Sequence, residues 1–304
     1  MGMLVGALLC RPIVALENAS HQLITPALIF LMLFFTFCRV RPSEMRIRPL
    51  HGWLLLFQVA VSAGIYGALL PVNEVLAQGA MICVLAPVAM AAVVIGGMLG
   101  ANVTTMATYS LLCNMAIALV APVVLSLTGN GTCTFWGILA RVVPLLVLPF
   151  ACAQLLRFAA PAAAGWIAGH SVLSFYMWLV SLTVVIGRTT SFILDLRGVS
   201  GSLEIGLALV SLVICLVQFK VGRSLGRRYG DPVAGGQSLG QKNTVLAVWM
   251  AQSFLNPVSS IAPTAYIVWQ NFVNSYQIYK KDHEGLQRIG RRPEEEERAD
   301  QHAV

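Results

Sequence analysis

Charge is what this sequence has least of. Asp, Glu, Lys and Arg make up 11% of its 304 residues, against roughly 25% in soluble domains. Hydrophobic residues make up 57%, and the mean hydropathy is +0.76. No stretch remains for a soluble domain, so the composition is that of an integral membrane protein. Metal and disulfide signatures are missing as well. The seven cysteines (Cys10, Cys38, Cys83, Cys113, Cys133, Cys152, Cys215) lie mostly in apolar segments, with no CxxC and no His-rich spacing. They read as small apolar packers, and no cofactor is implied. Acids are absent from the apolar cores: Glu17, Glu44, Glu74, Asp195, Glu204 and Asp231 fall outside them, and the other seven lie in the tail. No span holds a paired acid, a His cluster or a nucleophile with its base, which argues against a membrane enzyme.

What is present is a succession of apolar runs. About 20 apolar residues cross a bilayer. The spacing allows nine or ten crossings, an all-α polytopic fold. The first run, Met1 to Cys10, stops at Arg11 and continues weakly from Pro12 to Leu16, so it reads as a stunted helix. Further segments are expected at 23–38, 50–70, 75–99, 103–127, 135–158, 170–194, 202–225, 245–255 and 259–279. The charged tail from Lys280 reads as a solvated helix end fading into disorder. The net charge of +7 reflects short basic clusters at 39–48, 157, 220–228 and 280–281, which follow alternate segments. Only Arg11, Arg188 and Arg197 lie in the intervening loops. That is the positive-inside pattern rather than a nucleic-acid footprint; it puts the C-terminus on the cytoplasmic side of a cell membrane, and both termini there if all ten segments cross.

Two segments are interrupted. Pro87 removes a backbone donor within the fourth. The ninth is preceded by Gly235-Gly236-Gln237-Ser238-Leu239-Gly240-Gln241-Lys242-Asn243-Thr244, a polar, glycine-rich stretch. Irregular backbone at membrane depth survives only where it is buried in protein or lines a cavity, and secondary transporters build their sites from such broken helices. Gln58 follows Phe57 in the third segment and Gln218 precedes Phe219 in the eighth. Anomalies five segments apart predict two inverted five-helix repeats.

These residues resemble the bile acid:sodium symporter family. The likeness rests on Gly240-Gln241-Lys242-Asn243 with Ala247, Trp269-Gln270-Asn271, Ala86-Pro87, Gly100-Ala101-Asn102 and Gln58, in order along nearly the whole chain. It implies a ten-helix transporter in which broken helices four and nine cross. A panel domain would take residues 1–48 and 135–198, a core domain 49–134 and 199–281, with a charged cytoplasmic tail at 282–304. It further implies an organic-anion substrate, bile-acid-like or a small carboxylate, in the crevice between the domains. Pro87, Ala89, Met90, Asn243, Gln270 and Asn271 are the substrate-site positions, and rocking of the domains gives alternating access.

The departures from the family pattern centre on its sodium site. The equivalent positions here are Gln58, Ser238, Leu239, Gln241 and Lys242. Ser238 stands where a glutamate is usual and Lys242 where a glutamine is usual, and 92–93 read Ala-Val instead of Ser-Asn. Hard cations want oxygen ligands, and a lysine brings a positive charge to the same spot. The expectation is therefore that the Lys242 ammonium replaces sodium, donating to Gln58, Ser238 and unwound carbonyls. In a sharper form Lys242 also releases its proton, coupling flux to protons. The alternatives are a sodium-coupled symporter, a lysine that snorkels to the surface, and a non-transporting receptor or scaffold on the same fold. Arg141 is a candidate anion attractor or an interfacial anchor. Trp53, Trp136, Trp166 and Trp178 are expected at the membrane interface.

Overall fold

The computed structural model describes residues 2–89, 91–129, 134–195 and 201–301. The fold is all-helical: no strand occurs among the described residues, only an isolated antiparallel bridge between Val88 and Lys242. In chain order the helices are α1 (Gly2–Leu8), α2 (Cys10–Ala19), α3 (Ile24–Phe37), α4 (Pro49–Leu69), α5 (Glu74–Leu85), α6 (Ala91–Met98) and α7 (Val103–Thr128). They continue with α8 (Phe135–Ala159), α9 (Pro161–Gly169), α10 (Ser171–Asp195), α11 (Gly201–Arg227), α12 (Pro232–Gly240), α13 (Thr244–Phe254) and α14 (Ile261–Gln301). Among the described residues four helices, α4, α7, α8 and α11, are long and apolar enough to cross a membrane. A fifth crossing is reached if α2 and α3, bent by 91°, count as one span. The chain is thus a helical, membrane-embedded protein.

Local chemistry sets the boundaries. Asn73, Asn102, Thr134, Asp231 and Asn243 each precede a helix and accept from a backbone N–H in its first turn, worth about 1 kcal/mol apiece. Asp231 works twice: Oδ1 caps α12 at Ala234, and Oδ2 takes the Asn102 N–H at the start of α7. The bend between α2 and α3 runs through His21 and Gln22, whose φ values of 53° and 61° lie in the left-handed region.

α10 packs against α1, α2 and α3, and α3 against α8, while α4, α5, α11, α12 and α14 pack together with α7 and α13; α8 also packs closely on α7, which joins the two sets. From Ala77 to Leu85, α5 is buried on every face, as an interior helix must be. Three glycines allow the closest approach: a Cβ at Gly235 of α12 would fall on the carbonyl of Gly222, and one at Gly226 on that of Asp231. Gly222 and Gly226, one turn apart on α11, thus form a small-residue seat for α12.

The first helical stretch is longer than its hydropathy suggests. It passes Arg11 and Pro12 and ends at Ala19, interrupted only at Leu9. The glycine-rich stretch also differs from expectation. Residues 235–240 are helical in α12, and the break is confined to Gln241–Asn243. The last helix runs on to Gln301 rather than fraying at Lys280.

Candidate functional site

The two breaks meet. α5 ends at Leu85 and the chain runs extended through Ala86–Ala89. α12 ends at Gly240 and the chain is again non-helical through Asn243. The Ala89 N–H donates to the Gln241 carbonyl at 3.0 Å, and the Asn243 N–H donates to the Pro87 carbonyl at 2.8 Å. Pro87 has no N–H, so only its carbonyl joins this short ladder. The C-terminal ends of α5 and α12 and the N-terminal ends of α6 and α13 therefore start or stop at one place.

A helix end leaves its last carbonyls without intrahelical partners, and at α5 side chains supply all of them. Cys83 O accepts from Gln218 Nε2 (3.3 Å) and Val84 O from Lys242 Nζ (2.9 Å). Leu85 O and Ala86 O both accept from Gln58 Nε2 (2.9 and 2.8 Å). Gln58 is held in turn by Tyr109, whose hydroxyl donates to Oε1 at 3.0 Å, with the Cys113 thiol at 3.4 Å. On the other strand of the crossing, Gln270 Oε1 accepts the Lys242 N–H (3.0 Å), and the Tyr266 hydroxyl donates to Gly240 O (2.7 Å) while accepting from Gln218 (3.0 Å).

Lys242 is 1% exposed, and no carboxylate pairs with it among the described residues. Its charge is met by the negative end of α5, where Nζ donates to Val84 O. Burying an ammonium costs several kcal/mol, so this position is an expensive one. The lysine does not snorkel to the surface.

No protein-family model matches this chain, and no curated protein does.

Several expected positions converge here. Gln58, Lys242, Gln241, Gln270, Asn243 and Pro87 belong to one hydrogen-bonded cluster with Gln218 and Tyr266. Ser238 and Leu239 are buried in α12. Two expectations are corrected. The ammonium bonds neither Gln58 nor Ser238; Lys242 and Gln58 cap adjacent carbonyls of one helix instead. Asn271 is exposed, and its Nδ2 donates back to Ile267 O on its own helix at 2.7 Å. Ala89 is half-buried at the crossing, whereas Met90 lies outside the described residues. Arg141 is exposed, and so are Trp53, Trp136 and Trp166; the Trp178 side chain and Cys133 lie outside the described residues.

Sequence reasoning missed two charged residues. Glu17, placed outside the apolar cores, is 2% exposed, and Arg188, assigned to a loop, lies inside α10. They approach to 3.6 Å. Tyr266 also carried no signal, being one aromatic among many in an apolar helix.

Proposed function

We propose that this protein is a secondary transporter of an organic anion, working by alternating access without sodium. One observation carries the reading: a buried, carboxylate-free ammonium caps a half-helix where two broken helices cross. In a sodium-coupled carrier a mobile cation would neutralise carbonyl-rich ends of this kind. Here Lys242 supplies that charge permanently. With the α5 end neutralised, the positive N-terminal ends of α6 and α13 remain to favour a carboxylate. Asn243 and Ala89 stand beside them, and Gln270 is committed to the Lys242 backbone.

The reading completes the topology as nine or ten crossings in two inverted five-helix repeats, α5–α6 and α12–α13 each counting as one broken crossing. α1–α3 and α8–α10 form a panel, and the remaining helices a core that rocks against it. The C-terminus faces the cytoplasm of the cell membrane, and with ten crossings so does the N-terminus. Purified protein in liposomes tests the class of function. Counterflow of a labelled bile acid, keto acid or pantoate-like acid supports a carrier. Saturable binding without flux would make it a receptor on a transporter scaffold, and chemical turnover of the anion would make it an enzyme.

A further inference from the structure

Away from the crossing, α10 meets the start of α14 and the end of α13 along a layered seam. Phe192 packs against the cluster that contains Val258 and Ile261. One turn further in, the Thr189 hydroxyl accepts from Gln252 Nε2 of α13 at 3.2 Å and lies 3.4 Å from the Thr264 hydroxyl of α14. Below that, Leu182 and Ile186 close on Ile267, with Ala7 of α1 beside them. From Leu182 to Phe192 the seam follows α10 for about 15 Å, half of a hydrocarbon core of about 30 Å. There it stops. Thr264, Ile267 and Asn271 fall on one face of α14 at helical spacing, yet Ile267 is fully buried and Asn271 is exposed. In the proposed topology α14 starts on the outer side and runs to the cytoplasm. Its face toward α10 is therefore covered in the outer part and bare further in.

We infer that this seam is the outer gate of the proposed carrier, with Gln252, Thr189 and Thr264 as its latch, and that the structure is the inward-open state. The inference rests on the transport reading. The chemistry of the latch suits repeated parting. Thr189 donates to Val185 O (3.0 Å) and Thr264 to Ser260 O (2.8 Å), each one turn back along the chain. A hydroxyl has one proton, so both keep a partner for it when the helices separate. Gln252 borders a cleft of about 270 Å³ whose walls include Asn18, Gln22 and Ser191. Water in so polar a cleft takes over the released amide. The Gln252–Thr189 bond is neutral, and a neutral bond is weaker than a charge-assisted one. The Glu17–Arg188 pair on the same cleft joins α2 to α10, both in the panel, so it stays intact as the panel moves. The apolar layers on either side of the latch keep water out of the crevice while the gate is shut.

Two measurements on the full chain test the gate. In the double variant Thr189→Cys, Thr264→Cys, a disulfide formed with copper phenanthroline pins α10 to α14, since the parent hydroxyls lie 3.4 Å apart. Counterflow of a labelled organic anion in liposomes should fall by more than about tenfold and return on reduction. Full flux through the disulfide-bonded protein overturns the gate and leaves the carrier reading standing. The second measurement needs no substrate. Asn271→Cys is labelled with a membrane-impermeant maleimide in intact cells and in inside-out vesicles, and its peptide is quantified by mass spectrometry. Labelling is expected from the cytoplasmic side in preference to the outside. Gln252→Leu and Thr189→Val should each raise outside labelling by about fivefold, as loss of a neutral hydrogen bond shifts a two-state equilibrium. Equal labelling from both sides, or outside labelling unmoved by the latch variants, overturns the gate. Sided labelling that shifts as expected, with no anion flux in the reduced protein, would uphold the moving seam and end the carrier reading.

Discussion

The ammonium of Lys242 lies 2.9 Å from the carbonyl oxygen of Val84, so a cation carried in the break between α12 and α13 caps the C-terminal end of α5. The device recurs in exposed and half-buried forms. Arg157 of α8 donates to Cys38 O and Val40 O just past α3, both at 2.6 Å, and Lys281 of α14 donates to Met98 O at the end of α6, also at 2.6 Å. What distinguishes Lys242 is burial without an acid. A cap at the surface gains about 0.3–1 kcal/mol from the helix dipole, which would not offset the desolvation of a buried ammonium. The position costs stability, which the proposed transport role would explain.

Lys242→Met separates the two roles. It leaves Val84 O unpaired, at a cost of about 1–3 kcal/mol, but relieves a charge-burial penalty of several kcal/mol. Thermal unfolding in detergent should therefore show no loss of stability, while anion flux in liposomes falls by more than about tenfold. Collapse of both would make the lysine a structural element only.

Gln58→Leu should behave in the opposite way. It strips both donors from Leu85 O and Ala86 O and the acceptor from the Tyr109 hydroxyl, and relieves no charge. A loss of about 2 kcal/mol or more is expected, against about 1 kcal/mol for Tyr109→Phe, which removes a single bond. Urea or thermal melts of the pair check the ratio.

How much of this was legible in the sequence depended on whether the cause was local. Pro87 announced its break because the missing N–H acts within its own helix. The glycines at 235 and 236 misled, because their composition resembles a loop. Their actual constraint is contact with α11, where Gly222 and the Arg223 side chain lie against them. Lys242 and Gln58 were legible as neighbours, but which atoms they address was not. That depends on the α5 carbonyls and on Tyr109 fixing the glutamine amide. Glu17 was illegible for the same reason: its burial comes from Thr25 and Arg188, brought over it by the 91° bend after α2 and by α10.

The two neighbouring glycines should part company on substitution. A Cβ at Gly235 meets the backbone of Gly222 and Gly226, which cannot retreat without separating the helices. Gly235→Ala is expected to cost about 1–3 kcal/mol or prevent folding. A Cβ at Gly236 first meets Arg223 Cγ, part of a flexible side chain, so Gly236→Ala should cost less. Expression and melting temperature of the two variants decide.

Helix capping by cations makes a further graded prediction. Arg157→Ala takes the side-chain donor from Cys38 O and leaves Val40 O with only the longer 3.4 Å bond from Gln154 Nε2, and about 1–3 kcal/mol should be lost. Lys281→Ala removes one exposed cap and should cost less than about 1 kcal/mol. Equal effects in detergent melts would mean that the Arg157 bonds contribute little.

A tethered ammonium that does the work of a mobile ion would leave transport indifferent to sodium. The direct measurement is initial-rate uptake of a labelled organic anion into liposomes holding the wild-type protein, in matched sodium and choline buffers. Equal rates in the two buffers are expected. Uptake that appears only with sodium would contradict it.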